Sequence, residues 1–218
     1  MNDQSSPPVF DMTPYLVLVI DSALAFFRRL DAGKAGGEVH QPGPYLAMKT
    51  YLYASHLQSF GAFKRFDIKR KMKLLHSGAV VLNGTAGAWW VDYSAPGNIL
   101  FGYISAARGL DRKVCWAAGG LLETLDMKRV NRQFQEFWYD HPGDKAAVDL
   151  GWELFLAHPA GVNLRQTQNA LTADVLARLQ EPAKIPSSAP LAFSDELTAY
   201  PYPAEAFLND GESVDIGV

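Results

Sequence analysis

Two aspartates, Asp140 and Asp144, flank the rigid turn Pro142-Gly143 in the run Asp140-His141-Pro142-Gly143-Asp144. Carboxyls so placed can point into one cleft and divide acid and base work when their surroundings push their proton affinities apart. Cleavage of a glycosidic bond needs such a pair facing the scissile bond. Asp67, Asp92 and Glu123 are further acids of this central region. The alternative reading is architectural: Asp140 accepts backbone hydrogen bonds in the turn, and Asp144 caps the helix that follows.

His141 and His76 are the histidines placed to serve as general acid or base. Joined by Lys69 or Lys73, which would stabilise charge on a phosphorane, they would suit RNA cleavage. Asn98 stands beside a helix start, where its amide can orient a substrate or cap the helix. Tyr103 and Asp92 complete the residues read as substrate-binding. No Gly-x-Ser-x-Gly elbow, HExxH pair, phosphate loop or dinucleotide fingerprint occurs. No cofactor and no metal site is expected. Cys115 is the only cysteine. It therefore forms no intramolecular disulfide and no multi-cysteine metal site, and its apolar helical context places it in the core.

The elements that must carry these residues are mostly helical. Thr13 reads as an N-cap with Pro14 at the first helical position, opening a helix to about residue 30. Pro44 opens a second, ending near residue 60. Residues 79–82 and 88–91 flank Asn83-Gly84-Thr85 and read as a β-hairpin, the one convincing strand pair. Helices follow at 98–108, 111–126, 128–139 and 144–157, and another starts at Thr172. Gly102 and Gly109 lie seven apart on one stripe with Ala106, where Gly102 costs about 1 kcal/mol relative to Ala unless a close approach requires it. The fold class is mainly α, a helical domain with one small hairpin and an extended Pro-rich C-terminal tail. Three stretches are distinguished within one globular unit: N-terminal helices (1–62), a core (63–158), and a helix plus surface tail (159–218).

At 218 residues, 48% hydrophobic and 20% charged, the chain can bury a sizeable core. The net charge of −3 leaves no basic stripe over the whole chain; six cations between Lys64 and Lys73 are the exception, and they read as a solvated face. The first ten residues, with Pro7 and Pro8, are the wrong start for a secretory leader. Residues 15–27 are apolar, too short to span a bilayer and interrupted by Asp21, so no membrane-spanning segment is expected.

Gly97-Asn98-Ile99-Leu100-Phe101-Gly102-Tyr103, continued by Ala107 and Gly109, reads GNxxFGYxxxAxG. Some forty residues later Asp140, Pro142, Asp144 and Gly151 read DxPxDxxxxxxG. With Phe66-Asp67-Ile68-Lys69 upstream, this order resembles the type 44 toxin domain of bacterial polymorphic toxin systems. Phe101 stands where that family usually has Tyr, and Phe66 and Ile68 where it has Trp and Tyr. The resemblance implies an antibacterial toxin used between competing bacteria and neutralised in its producer by a cognate immunity protein. With neither a secretory leader nor a large delivery domain read in the chain, export as a free-standing effector of a contact-dependent machine such as type VI is expected. The expected reaction is hydrolysis of the peptidoglycan glycan strand in the target periplasm, with Asp140, Asp144, Asp67, Lys69 and His141 catalytic and Asn98, Tyr103 and Asp92 binding substrate. A ribonuclease acting on RNA in the target cytoplasm is the second reading. A non-enzymatic phage or secretion structural protein is the third.

Overall fold

The computed structural model describes residues 9–35, 44–60, 65–68, 78–127, 132–138, 140–186 and 197–200. The elements are α1 (Thr13–Ala35), α2 (Pro44–Phe60), β1 (Ala79–Gly84), β2 (Gly87–Asp92), α3 (Ala95–Ala107), α4 (Arg112–Met127), α5 (Pro142–Ala157), α6 (Leu164–Ala170) and α7 (Ala173–Arg178), with 3-10 turns at Arg132–Phe137 and Pro182–Lys184. The protein is mainly helical with one two-stranded antiparallel sheet. Among the described residues no helix is long and apolar enough to cross a membrane. Most of the Pro-rich tail lies outside the described residues.

α3 is the centre of the fold. Ile99, Leu100, Tyr103, Ile104 and Ser105 are fully buried along it, as expected of a helix that is apolar all round. α1 covers one side with a stripe of Tyr15, Leu16, Val19, Ile20, Ala23, Leu24 and Phe27, spaced in threes and fours. α5 covers another, and here the backbones touch. A Cβ on Gly102 would overlap the Val148 carbonyl oxygen, and one on Gly151 would overlap the Ile99 carbonyl oxygen. The two glycines thus face each other's helix across one crossing, and this close approach is what keeps Gly102 mid-helix.

Gly109 does something else. It lies just beyond the end of α3 at φ +65°, with Gly109 N–H donating to Ala106 O and Leu110 N–H to Ser105 O, both at 3.0 Å. This is a Schellman stop, for which glycine is the favoured residue. The expectation that Gly102 and Gly109 share a packing stripe is therefore corrected: one packs, the other ends the helix.

The hairpin pairs Ala79 with Asp92 and Gly84 with Gly87, so each strand is longer than expected and the turn is Thr85-Ala86. Gly84 is not the turn residue; it sits where a Cβ would meet the Leu171 carbonyl. Thr13 does not cap α1. Its hydroxyl takes the Asn83 N–H at 2.7 Å and donates to the Asn83 carbonyl at 3.3 Å, while Asp11 Oδ1 accepts the Thr13 N–H at 2.8 Å. Asp11 is itself held between β1 and the tail, through bridges to Val81 and Ala199.

The helix expected at 128–139 is a 3-10 segment, Arg132–Phe137, in its described part. α6 was not anticipated. Its Asn163–Gln166 capping box, with both hydrogen bonds formed, is a signal readable in the sequence. The helix expected to start at Thr172 is α7, and Thr172 is its N-cap, its side chain accepting the Val175 N–H.

Candidate functional site

The Gly-Asn and Asp-Pro segments meet where two helices begin. Ser94 precedes α3, and Asn98 lies one turn in. Asp144 is in the first turn of α5, where the helix dipole favours a negative charge. Asp144 Oδ1 accepts the Asn98 amide at 2.6 Å and the Ser94 hydroxyl at 2.5 Å. Asp144 and Asn98 are half-buried, Ser94 buried.

Asp92 closes the same junction from the hairpin. Its Oδ1 takes the Ser94 N–H at 2.8 Å, and its Oδ2 takes Lys184 Nζ at 2.6 Å. Lys184 also pairs with Glu181 at 2.7 Å. Burial pushes the Asp92 carboxyl up, but the Lys184 ammonium and the Ser94 donors more than offset this and hold it below its ordinary value. Burial likewise disfavours the Lys184 charge, and Asp92 and Glu181 restore it, leaving its proton held more tightly than usual. Two aspartates from different elements thus engage one serine. Ser94 and Lys184 were not singled out in the sequence. Ser94, two before Pro96, carries a helix-start signal; Lys184, ninety-two residues from Asp92, carries none.

α5 starts at Pro142 with His141 as its N-cap, not at residue 144 with Asp144 as the cap. His141 Nδ1 accepts the Gly143 N–H at 3.2 Å. The proline at the first helical position explains the earlier start. Asp140, 6% exposed, turns toward α4. Its Oδ1 accepts the His141 N–H at 2.9 Å, and Oδ2 lies against Gly119, where a Cβ would overlap it. Asp140 and Asp144 therefore contact different helices, α4 and α3.

Tyr103 is fully enclosed and donates its hydroxyl to the His158 carbonyl at 2.6 Å; burial, with Asp21 adding, pushes that phenol up to about 12. Asp67 is buried at 4%, between Phe66 and Ile68, which both enter the core. Phe66 packs edge and face against Phe26, Phe27 and Phe60. Lys69, Lys73 and His76 lie outside the described residues, as does the Glu123 side chain. Cys115 is buried, its thiol pushed up to about 11 by burial. Among the described residues no group of three His, Cys, Asp or Glu is arranged to hold a metal ion.

A second polar region lies on the other face of α5. Asp149 accepts from Arg112 Nε at 2.9 Å, Trp116 Nε1 at 2.8 Å and Lys145 Nζ at 2.8 Å, and Glu153 accepts from Arg112 at 2.7 Å. Lys145 stands 3.9 Å over the Trp116 ring. This ladder forms one wall of an open groove of about 920 Å³ between α5 and the α6–α7 pair. Neither a family model, nor a curated protein, nor a solved structure matches this chain.

Proposed function

We propose that the protein is an antibacterial toxin that hydrolyses the glycan strand of peptidoglycan, with Asp144 as the carboxylate acting on the glycosidic bond. The observation that supports this reading is the Asn98–Asp144 hydrogen bond of 2.6 Å. Two segments forty-six residues apart in sequence supply one half-buried polar junction, and they are the two whose pattern resembles the toxin domain. Asp144 is held in place by two donors at a helix N-terminus, where its carboxylate can activate water or attack the sugar. Asp140, four residues earlier, faces α4 instead, so Asp144 is the one carboxylate to which the proposal gives a chemical role. Asp92 anchors Ser94 and Lys184. Secretion by a type VI-like machine and neutralisation by an immunity protein belong to the same proposal.

Expression in a susceptible bacterium tests it. Export to the periplasm should cause rounding or lysis, and expression confined to the cytoplasm should be tolerated. Killing from the cytoplasm, with RNA decaying before any change of the envelope, would replace this reading with the ribonuclease.

A further inference from the structure

The groove outside α5 shares no residue with the Asp144 junction. Its size falls in the range of ligand sites, roughly 300–1,000 Å³. Its floor is made mostly of small and branched apolar side chains, among them Ala146, Leu150, Ala157 and Ala170, with the aromatic ring of Phe137 beside them. Such a floor suits methyl-sized side chains.

The rim divides into committed and uncommitted groups. Arg112, Lys145, Asp149 and Glu153 are bound to one another along one wall. On the other side, Arg178 and Asn169 are exposed, and among the described residues their side chains make no hydrogen bond. Gln166, which lines the groove, uses its carbonyl oxygen in the α6 capping box. Three cations against two acids leave the lining with one positive charge over. Arg178 is the lining cation with no ion-pair partner among the described residues, and Pro142, at the start of α5, lines the same groove, so the positive end of that helix dipole adds to it.

We propose that this groove binds a short acidic peptide with small apolar side chains. Its carboxylate would pair with Arg178 and its backbone amides with Asn169 and Gln166, while its methyl groups lie on the alanine floor. Under the hydrolase reading the peptide is the stem peptide carried by peptidoglycan, and on that point alone the inference rests on that reading. The groove then selects peptide-bearing strands, while the junction on the far side of α5 does the chemistry.

The test is calorimetric titration of the whole protein with two probes: a synthetic stem tetrapeptide (Ala-γ-Glu-diaminopimelate-Ala) and the peptide-free sugar chitotetraose. Arg178→Glu and Asn169→Leu should each weaken tetrapeptide binding by about tenfold or more, with the melting temperature unchanged and chitotetraose binding unaffected. Absence of tetrapeptide binding by the unaltered protein, or equal binding by both variants, overturns the proposal. Asp144→Asn separates the two readings. If it binds tetrapeptide normally while the unaltered protein cleaves no peptidoglycan, the peptide site stands and the hydrolase reading falls. If cleavage is intact and the tetrapeptide does not bind, the reverse holds.

Discussion

The two faces of α5 behave as opposites. The inner face, through Val148 and Gly151, meets α3 with no space for one added methyl group, and its N-terminal Asp144 is bonded to Ser94 and Asn98. The outer face opens on a groove whose ion pairs are partly exposed, with Arg112 and Asp149 side chains 31% and 26% accessible. Close packing makes the first intolerant of change, and solvent makes the second permissive. Only the first carries a recognisable sequence pattern. Glycines at a helix crossing leave a mark in the chain, and a groove assembled from four helices does not.

The sharpest way to break the contrast is to add volume at the crossing. Gly151→Val and Gly102→Leu should abolish folding, because the obstructing atoms are backbone carbonyls that cannot move aside, and even Gly102→Ala should cost about 1–3 kcal/mol or more. Gly109→Ala meets open space and only its left-handed backbone is strained, so it should cost about 1 kcal/mol. Thermal melts of the four variants rank these effects; equal losses at residues 102 and 109 would dissolve the distinction.

The closed side extends across α3 to His56, on α2. Its Nε2 shares a 2.8 Å hydrogen bond with Ser105, and its Nδ1 is buried with no hydrogen-bond partner among the described residues. Burial, reinforced by Arg108, lowers its pKa to about 3. The unfolded chain therefore binds a proton at this site between about pH 6.5 and 3 and the folded one does not. Its contribution is complete above about pH 6.5 and declines by up to about 1.4 kcal/mol per unit as pH falls toward 3. His56→Phe should flatten that acid limb in melts across this range. An unchanged slope would show that His56 is not the group responsible.

On the outer face, Arg112→Met should change stability by less than about 1 kcal/mol, as exposed ion pairs generally do. A loss as large as that of Gly102→Ala would mean the ladder, not the crossing, holds α5 in place.

Much of this was legible in the chain, for physical reasons. Proline at a helix start made α1 and α2 readable near Pro14 and Pro44, and the apolar runs around residues 83–85 marked the hairpin. Gly102 was readable as a close approach because nothing else justifies a glycine inside a helix. Gly109 was misassigned because helix periodicity cannot tell a packed glycine from one that ends the helix. The cap alternative for Asp144 follows from its place after Pro142-Gly143; Pro142 instead starts the helix, and Asp144 reaches across to α3. Lys184 on Asp92 and Arg178 in the groove come from the C-terminal third of the chain, and only tertiary folding brings them to their places.

The direct test of the central claim is digestion of purified peptidoglycan sacculi by the purified protein, followed by release of reducing sugar ends. The account predicts release by the unaltered protein and at least about a hundredfold less by Asp144→Asn, with that variant melting at nearly the same temperature because asparagine keeps the oxygen that Ser94 and Asn98 bond. Equal release by the two proteins, or intact sacculi alongside degraded RNA, would contradict it.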